Sequence, residues 1–146
     1  PLHAGRAFMT KDDARRTASC ACRGLRVTVA GGPLGIYACC CLECQRATGS
    51  ALAVRARFAD TAIVAVEGEH RLWRRGSDAG RWLEHVFCPT CGGLVFMRSE
   101  GMPGAIVVSV GCFGDPGFPP PARAYWASRK PGWCGLPDGV AMIDRQ

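Results

Sequence analysis

Seven of the ten cysteines in this chain fall into three short clusters. The clusters are two pairs and one triplet: Cys20-x-Cys22, Cys88-x-x-Cys91 and Cys39-x-Cys41-x-x-Cys44. Such spacings aim several thiolates at one point, which suits a tetrahedral Zn²⁺ site with Zn–S distances of about 2.3 Å. A structural zinc site has four protein ligands, whereas a catalytic site has three and an open position. The clusters therefore predict one closed site and one open site.

We expect the two pairs to share one ion, although they lie far apart in the sequence. The binding energy of a structural zinc appears as folding energy, so this ion would tie an early strand to a middle one. The glycines in Cys88-Pro89-Thr90-Cys91-Gly92-Gly93 are typical of a zinc knuckle, because they leave backbone N–H groups free to approach the sulfurs. The first site is therefore predicted to be structural.

Apart from Cys40, which lies within it, the triplet has no further cysteine or histidine nearby in the sequence, and none of the three histidines has ligand spacing to it. Three interpretations follow. A distant residue such as Cys112 or Cys134 closes the site, its fourth position takes water or a substrate thiol, or the site is empty of metal. Cys40 alternates away from both neighbours and is interpreted as a free thiol.

Disulfide bonds are the competing explanation for an even number of cysteines. Adjacent residues such as Cys39, Cys40 and Cys41 are poorly placed to bridge one another, and residues 1–19 contain no apolar stretch typical of a signal peptide. We therefore expect a cytoplasmic protein whose cysteines bind metal. No apolar run approaches the roughly 18–20 residues of a membrane span, so a membrane partner is not expected.

The formal charge of +6 at first favours a nucleic-acid partner. The positive charge comes from 16 arginines and two lysines, which are scattered along the chain and form no run of five. No basic region is interleaved with aromatic residues. Metal-bound thiolates would also lower the net charge. The composition therefore predicts attraction for a small anion and no nucleic-acid surface.

Most apolar segments alternate with period two, which predicts short strands separated by Gly- and Asp-rich turns. In the segment 52–58 the even positions are apolar, and Arg55 and Arg57 fall on the opposite face. The one helical signal covers 42–48 and ends at Gly49. The 146 residues thus predict a mostly β, single-domain antiparallel fold stapled by zinc. We expect an N-terminal extension over 1–17, a zinc-binding domain over 18–146, and packing roles for the four tryptophans.

The residues around the clusters resemble the glutathione-dependent formaldehyde-activating enzyme (Gfa-like) family. The resemblance covers about residues 18 to 140 in the family's order. The matching segments are Cys20-Ala21-Cys22-Arg23-Gly24-Leu25-Arg26-Val27, Cys39-Cys40-Cys41-Leu42-Glu43-Cys44-Gln45-Arg46-Ala47-Thr48-Gly49-Ser50, Phe87-Cys88-Pro89-Thr90-Cys91-Gly92, Val110-Gly111-Cys112-Phe113-Gly114-Asp115-Pro116 and Tyr125-Trp126-Ala127-Ser128-Arg129-Lys130-Pro131-Gly132-Trp133.

This resemblance implies a fold like that of methionine sulfoxide reductase B, with two zinc ions. It assigns the structural zinc to Cys20, Cys22, Cys88 and Cys91. It assigns the second, catalytic-type zinc to Cys39, Cys41 and Cys44. The implied reaction joins the thiol of glutathione to formaldehyde and gives S-(hydroxymethyl)glutathione, which is a carbon–sulfur lyase reaction in reverse.

The chain departs from the family pattern at three places. Cys39-Cys40-Cys41 stands where the family commonly has Cys-His-Cys. Arg23 replaces the usual glycine after the first pair, and Arg123 or Ala124 stands where a histidine is often found. These departures bear on the identity of the substrate more than on metal binding.

A thiol substrate fits the open site, because a thiol near a zinc ion loses its proton. Arg46, Arg55 and Arg57 are predicted near the mouth of the site, where they would bind the carboxylates of glutathione bidentately. Formaldehyde and thiols also combine unaided. The alternative is therefore a non-catalytic zinc-binding module for a small thiol or a protein partner, and a third interpretation is an enzyme acting on another carbon–sulfur compound.

Overall fold

The short alternating segments form strands in the computed structural model, which describes residues 14–77 and 79–145. The strands of this part of the chain are β1 (Arg15–Ser19), β2 (Arg26–Ala30), β3 (Gly35–Cys39), β4 (Ala53–Ala59), β5 (Ile63–Glu67), β6 (Arg71–Gly76), β7 (Trp82–Phe87), β8 (Leu94–Ser99), β9 (Ala105–Ser109), β10 (Arg123–Tyr125) and β11 (Ala141–Ile143). The expectation of a mostly β chain with little helix is confirmed.

The predicted helix is α1, which spans Leu42–Thr48. Cys41 is its N-cap residue, and the Cys41 sulfur accepts a hydrogen bond from the backbone N–H of Cys44. Gly49 ends the helix with a left-handed φ of 64°, a conformation that glycine adopts without steric cost. The cap residues therefore limit α1 to two turns and fix the direction in which its first turn faces.

The strands form two sheets. The smaller sheet has the order β1-β2-β5, and the larger has the order β11-β10-β3-β4-β9-β8-β7-β6. All the pairings are antiparallel except those of β10, which runs parallel to both β3 and β11. The antiparallel prediction is therefore wrong at this edge, because β10 enters after a proline-rich loop that lets it run in the direction of β3.

The core lies between the two sheets. Ala56 and Phe58 of β4 are fully buried there together with Val27 and Val29 of β2. Because side chains alternate along a strand, Arg55 and Arg57 of β4 point to the other face of the large sheet. The alternation predicted for 52–58 is thus confirmed, and it leaves an arginine-bearing face outside the core.

Two packing predictions and part of a boundary differ from the structure. Trp133 and Trp73 are 82% and 52% exposed, so neither is a core residue. Residues 15–17, which the prediction assigned to an extension, pair with β2 as part of β1. The rest of that extension, residues 1–13, lies outside the described residues.

Among the described residues, no helix is long and apolar enough to cross a membrane. The longest described α-helix, α1, has seven residues. The likeness to methionine sulfoxide reductase B stays a prediction.

Candidate metal centres and the adjoining cavity

The first cluster joins two hairpin turns from different sheets. Cys20 and Cys22 follow β1, and Cys88 and Cys91 follow β7. Their four Sγ atoms all lie within 4.8 Å of one another. The pairing of the two distant cysteine pairs is therefore present in the fold, as a link between the small sheet and the large one.

The sulfur spacing in this first cluster fits a tetrahedral zinc ion. Four sulfurs about 2.3 Å from a central ion would lie about 3.8 Å apart. The Cys22 sulfur lies 3.6 Å from the Cys20 sulfur and 3.6 Å from the Cys88 sulfur. The backbone N–H of Leu25 donates a hydrogen bond of 3.2 Å to the Cys20 sulfur, which stabilises a thiolate there.

Glycines leave room for these four sulfurs. A Cβ at Gly24 would lie 3.2 Å from the Cys22 sulfur, and a Cβ at Gly93 would lie 2.9 Å from the Cβ of Cys20. A side chain at Gly93 would therefore displace Cys20, and one at Gly24 would crowd the Cys22 sulfur. The donor set, the spacing and the surrounding backbone are all compatible with a closed four-thiolate metal site.

The second cluster is built on one short segment. Cys39 is the last residue of β3, Cys41 caps α1, and Cys44 lies in the first turn of α1. Their three Sγ atoms lie within 4.8 Å of one another. The Gln45 side chain donates hydrogen bonds of 2.9 Å to the carbonyls of Cys40 and Arg129, which holds this segment against the rest of the fold.

No fourth histidine, cysteine or carboxylate joins this trio among the described residues. Cys112 and Cys134, the two distant candidates for closing the site, belong to neither cluster. Cys40 is fully buried with Ala38 and Ala124 and also lies outside both clusters, as predicted. The ten cysteines all lie among the described residues, and no disulfide bond joins any two of them. The open interpretation of the triplet is therefore the one that the geometry favours.

The three thiols of the trio interact strongly with one another. A hydrogen bond with Cys41 raises the pKa of Cys39, and the same contact lowers the pKa of Cys41 to about 2. Without a cation, the trio thus favours one thiolate that accepts hydrogen bonds from neighbouring thiols. A divalent ion would supply the positive charge needed to ionise all three sulfurs.

A buried arginine lies directly beside the trio. Arg55 is only 1% exposed, and the Nη2 atom of its guanidinium lies 3.9 Å from the Cys44 sulfur. Its Nε and Nη1 atoms are buried without a hydrogen-bond partner among the described residues. A buried cation without a counter-charge is costly, so the thiolates are the group that balances it. Three thiolates and one Zn²⁺ carry a net charge of −1, which one arginine neutralises.

The trio opens into a cavity of about 450 Å³. Tyr37 of β3 and Arg75 of β6 both line it, although these strands are five steps apart in the large sheet. Five steps across a flat sheet would span about 24 Å. The large sheet must therefore curve around the cavity, with its arginine-bearing face inward.

The three predicted substrate arginines all line this cavity, in different settings. Arg46 is exposed and forms an ion pair of 2.7 Å with Glu43. Arg57 is half-buried, two residues along β4 from Arg55. Arg55 itself lies at the floor beside Cys44 rather than at the mouth, because its strand position directs it under α1.

Sequence reasoning missed several cavity residues. Trp126 was interpreted as a packing residue, yet it lines the cavity and contacts the trio from a left-handed φ of 54°. Arg129 stacks on its ring at 4.4 Å. Arg75 and Arg81 come from the β6–β7 hairpin. The Tyr125-Trp126 motif was a usable signal for Trp126, whereas nothing local marked the two hairpin arginines.

His85 lies buried on the same face of the large sheet, beside the exposed ring of Trp73 at 5.3 Å. Its Nε2 has no hydrogen-bond partner among the described residues. Burial, followed by the positive charges of Arg55 and Arg75, lowers the pKa of His85 to about 4. His85 is therefore neutral near pH 7 and adds no charge to this face.

Comparisons with known proteins agree with this geometry. The model of the glutathione-dependent formaldehyde-activating enzyme family matches residues 15–129. A Rhodobacter sphaeroides protein of known crystal structure shares the fold, with a TM-score of 0.53 and 23% identity over 71% of this chain and 91% of that one. No curated protein matches the chain. Since the family model spans both cysteine clusters and most of the described strands, the chain belongs to the glutathione-dependent formaldehyde-activating enzyme family.

Proposed function

We propose that this protein is a zinc-dependent enzyme of the carbon–sulfur lyase type, which forms S-(hydroxymethyl)glutathione from formaldehyde and glutathione. The observation that supports this proposal is the trio of Cys39, Cys41 and Cys44, which has no fourth protein ligand among the described residues and faces a cavity. The four-cysteine cluster holds a structural zinc in this proposal, and the trio holds the second ion.

The second ion would supply the positive centre that keeps a thiol ionised at neutral pH. Cys39, Cys41 and Cys44 would hold this ion at the floor of the cavity, and Arg55 would balance the net charge of −1 that the three thiolates and the ion carry together. The thiol is thereby placed where only small molecules reach it from the cavity. The arginines that line the walls, including Arg57, bind its carboxylates.

The reaction itself needs no oxidant or reductant. One S–C bond forms between the thiol sulfur and the carbon of formaldehyde, the C=O double bond becomes a single bond, and the thiol proton ends on the oxygen. Tyr37 lines the cavity, and burial raises the pKa of its hydroxyl, so the hydroxyl stays protonated. It is thus available to donate a hydrogen bond to the aldehyde oxygen as negative charge develops there.

Turnover of formaldehyde and glutathione tests the proposal directly. NMR exchange spectroscopy would measure the rate of adduct formation for the zinc-loaded protein and for Cys41→Ser, which removes one ligand of the trio. We expect the protein to accelerate the reaction over buffer and Cys41→Ser to lose that acceleration. Equal rates in both proteins would leave the alternative, a non-catalytic zinc module that binds a small thiol or a protein partner.

A further inference from the structure

The buried side-chain polar atoms that have no hydrogen-bond partner among the described residues all belong to three residues of the large sheet. They are Nε and Nη1 of Arg55, Nε of Arg75 and Nε2 of His85. The great majority of buried polar atoms in folded proteins are hydrogen-bonded, so each exception points to a water molecule, an ion or a ligand. The position of these three side chains relative to one another decides whether they can share one.

Strand pairing places Arg75 and His85 next to each other. In the antiparallel pair of β6 and β7, Arg75 lies opposite Leu83 and His85 lies opposite Trp73. Arg75 and His85 are therefore diagonal neighbours on one face of the sheet, a separation of about 7–8 Å that long and aromatic side chains can bridge. Arg75 and Leu83 line the cavity, so this is the cavity face of the sheet.

Arg55 approaches the same place from β4. It lines the cavity together with Arg75, whereas His85 does not line it. After burial, the positive charges of Arg55 and Arg75 are the causes that lower the pKa of His85, so both guanidinium groups act on its ring. The three side chains, named the Arg55–Arg75–His85 cluster below, thus lie together at the edge of the cavity and partly behind its surface.

The atoms of this cluster favour a ligand that accepts hydrogen bonds. Guanidinium nitrogens can only donate, and a neutral imidazole also donates from Nε2 in the tautomer that carries its hydrogen there. The local potential is positive, because it lowers the pKa of His85. Hydrogen bonds from charged donors to an anion are about twice as strong as those between neutral groups. An anion therefore satisfies these nitrogens better than a water molecule, which must also place its own two hydrogens.

We propose that the Arg55–Arg75–His85 cluster is a binding site for a small monovalent anion, either a halide or a one-carbon carboxylate. The site is separate from the fourth coordination position of the trio and shares only Arg55 with it, because Nη2 of Arg55 faces Cys44 whereas Nε and Nη1 do not bind it. Since Arg55 also balances the trio, the cluster is suited to one negative charge rather than two. The burial of all four nitrogens limits the anion to a small one. The inference uses no thiol or aldehyde and so does not depend on the proposed function.

Chloride is the first probe, and the width of its ³⁵Cl NMR line reports its binding to the zinc-loaded protein at pH 7. We expect the protein to broaden the chloride line and added formate to narrow it again by displacing chloride. Sulfate, which is larger and divalent, should displace chloride much less effectively. Displacement by formate at concentrations below the dissociation constant of chloride would identify the preferred ligand as the carboxylate, and displacement only above it would identify the halide. Absence of broadening, or equal displacement by sulfate, would overturn the inference.

Variants of the cluster locate the anion. Arg75→Gln should weaken chloride binding about tenfold or more, as expected for the loss of one charged hydrogen bond. Arg71→Gln is the matched control, because Arg71 is the other arginine diagonal to His85 but is exposed and does not line the cavity. His85→Leu should also weaken binding, whereas His85→Gln, whose side-chain amide keeps an N–H donor, should restore most of it. Equal binding by Arg75→Gln and Arg71→Gln would overturn the inference.

Cobalt substitution separates this site from the metal centre. An anion that coordinates cobalt at the trio changes the visible absorption of the metal, whereas an anion held by the cluster leaves its coordination sphere intact. We expect the spectrum of the cobalt-loaded protein to stay the same over the chloride concentrations that saturate the line broadening. A spectral change that follows the same binding curve as the line width would place the anion on the metal and overturn the inference.

Discussion

The two cysteine clusters place the same ligand atom in different surroundings. The first places four sulfurs at the junction of two sheets, with hydrogen bonds from the backbone and glycines packed against it. The second places three sulfurs at the end of one strand and the start of one short helix, beside Arg55 and an open cavity. The fold thus supplies four ligand atoms to the first cluster and three to the second, among the described residues.

In the proposed function, position rather than ligand type separates the structural metal site from the reactive one. An ion that joins residues distant in sequence contributes its binding energy to folding. An ion held by neighbours in sequence contributes little to the overall fold, because those neighbours are already close. In the proposed function, the second ion would therefore use its remaining coordination position for a ligand from solution.

The largest expected effect comes from removing one ligand of each cluster. Cys88→Ser should abolish cooperative folding, because structural zinc binds with about 10–16 kcal/mol, which is comparable to the entire stability of a domain, about 5–15 kcal/mol. Cys44→Ser should leave the protein folded with one zinc instead of two. Thermal denaturation followed by circular dichroism, with metal counting by atomic emission, measures both outcomes.

The matched control for these two variants is Cys112→Ser, since Cys112 is partly buried and belongs to neither cluster. It should keep two zinc ions and a normal melting transition. Equal loss of stability in Cys88→Ser and Cys44→Ser would show that both clusters are structural and would remove the contrast between them.

On the cavity side of the large sheet, the protonation of His85 should make the free energy of unfolding depend on pH. Because the pKa of His85 falls from 6.5 to about 4 on folding, the unfolded chain binds a proton between these pH values and the folded chain does not. The free energy of unfolding should therefore decrease by up to about 3 kcal/mol as the pH falls through this window. His85→Gln should lack this component in urea denaturation at saturating zinc.

Zinc release at low pH lowers the free energy of unfolding of the unmodified chain and of His85→Gln alike, so this contribution cancels when the two are compared. His70→Gln is the control, because His70 is exposed and its ring contacts only a backbone carbonyl. Identical pH profiles for the unmodified chain and His85→Gln would contradict the assignment of a neutral, buried His85.

The charge balance at the second cluster is tested by Arg55→Met. Removing the guanidinium beside Cys44 should weaken the binding of the second ion by about 1.5–3 kcal/mol, which is the usual contribution of a charged hydrogen bond. The affinity of the four-cysteine cluster should stay the same. Competition with a zinc chelator measures the two affinities, and Arg55→Lys, which keeps the positive charge, should restore most of the loss. A lower melting temperature with both affinities unchanged would instead make Arg55 a purely structural residue.

The smallest effect is expected at the first cluster, where Arg23 stands in place of the family's glycine. Arg23 has a left-handed φ of 65°, which is unfavourable for a residue with a Cβ. It donates hydrogen bonds to the carbonyls of Cys20 and Ala21 that offset part of this strain. Arg23→Gly should stabilise the zinc-loaded protein by about 0.5 kcal/mol in thermal denaturation. Arg26→Gly, within β2, should destabilise it, and a loss of stability in Arg23→Gly would refute the strain argument.

Much of the fold could be predicted from local patterns. The alternation in 52–58 predicted both a core face and an arginine face, and Gly49 predicted the end of α1. The parallel strand β10 was not predicted, because its partners β3 and β11 are selected by distant packing rather than by its own three residues. The exposure of Trp133 was missed for a similar reason, since nothing within the segment shows which surface it will face.

The sequence by itself indicated which residues form the second cluster, because residues two and three positions apart need only one turn of the chain to bring their sulfurs within a few ångströms of one another. It also indicated the alternation that separates apolar from basic side chains on β4. Only the tertiary structure decided that the two distant cysteine pairs meet, that Arg55 is buried beside Cys44, and that Arg75 and Arg81 line the same cavity as the trio. These contacts depend on strand order and on the curvature of the large sheet, which no local segment encodes.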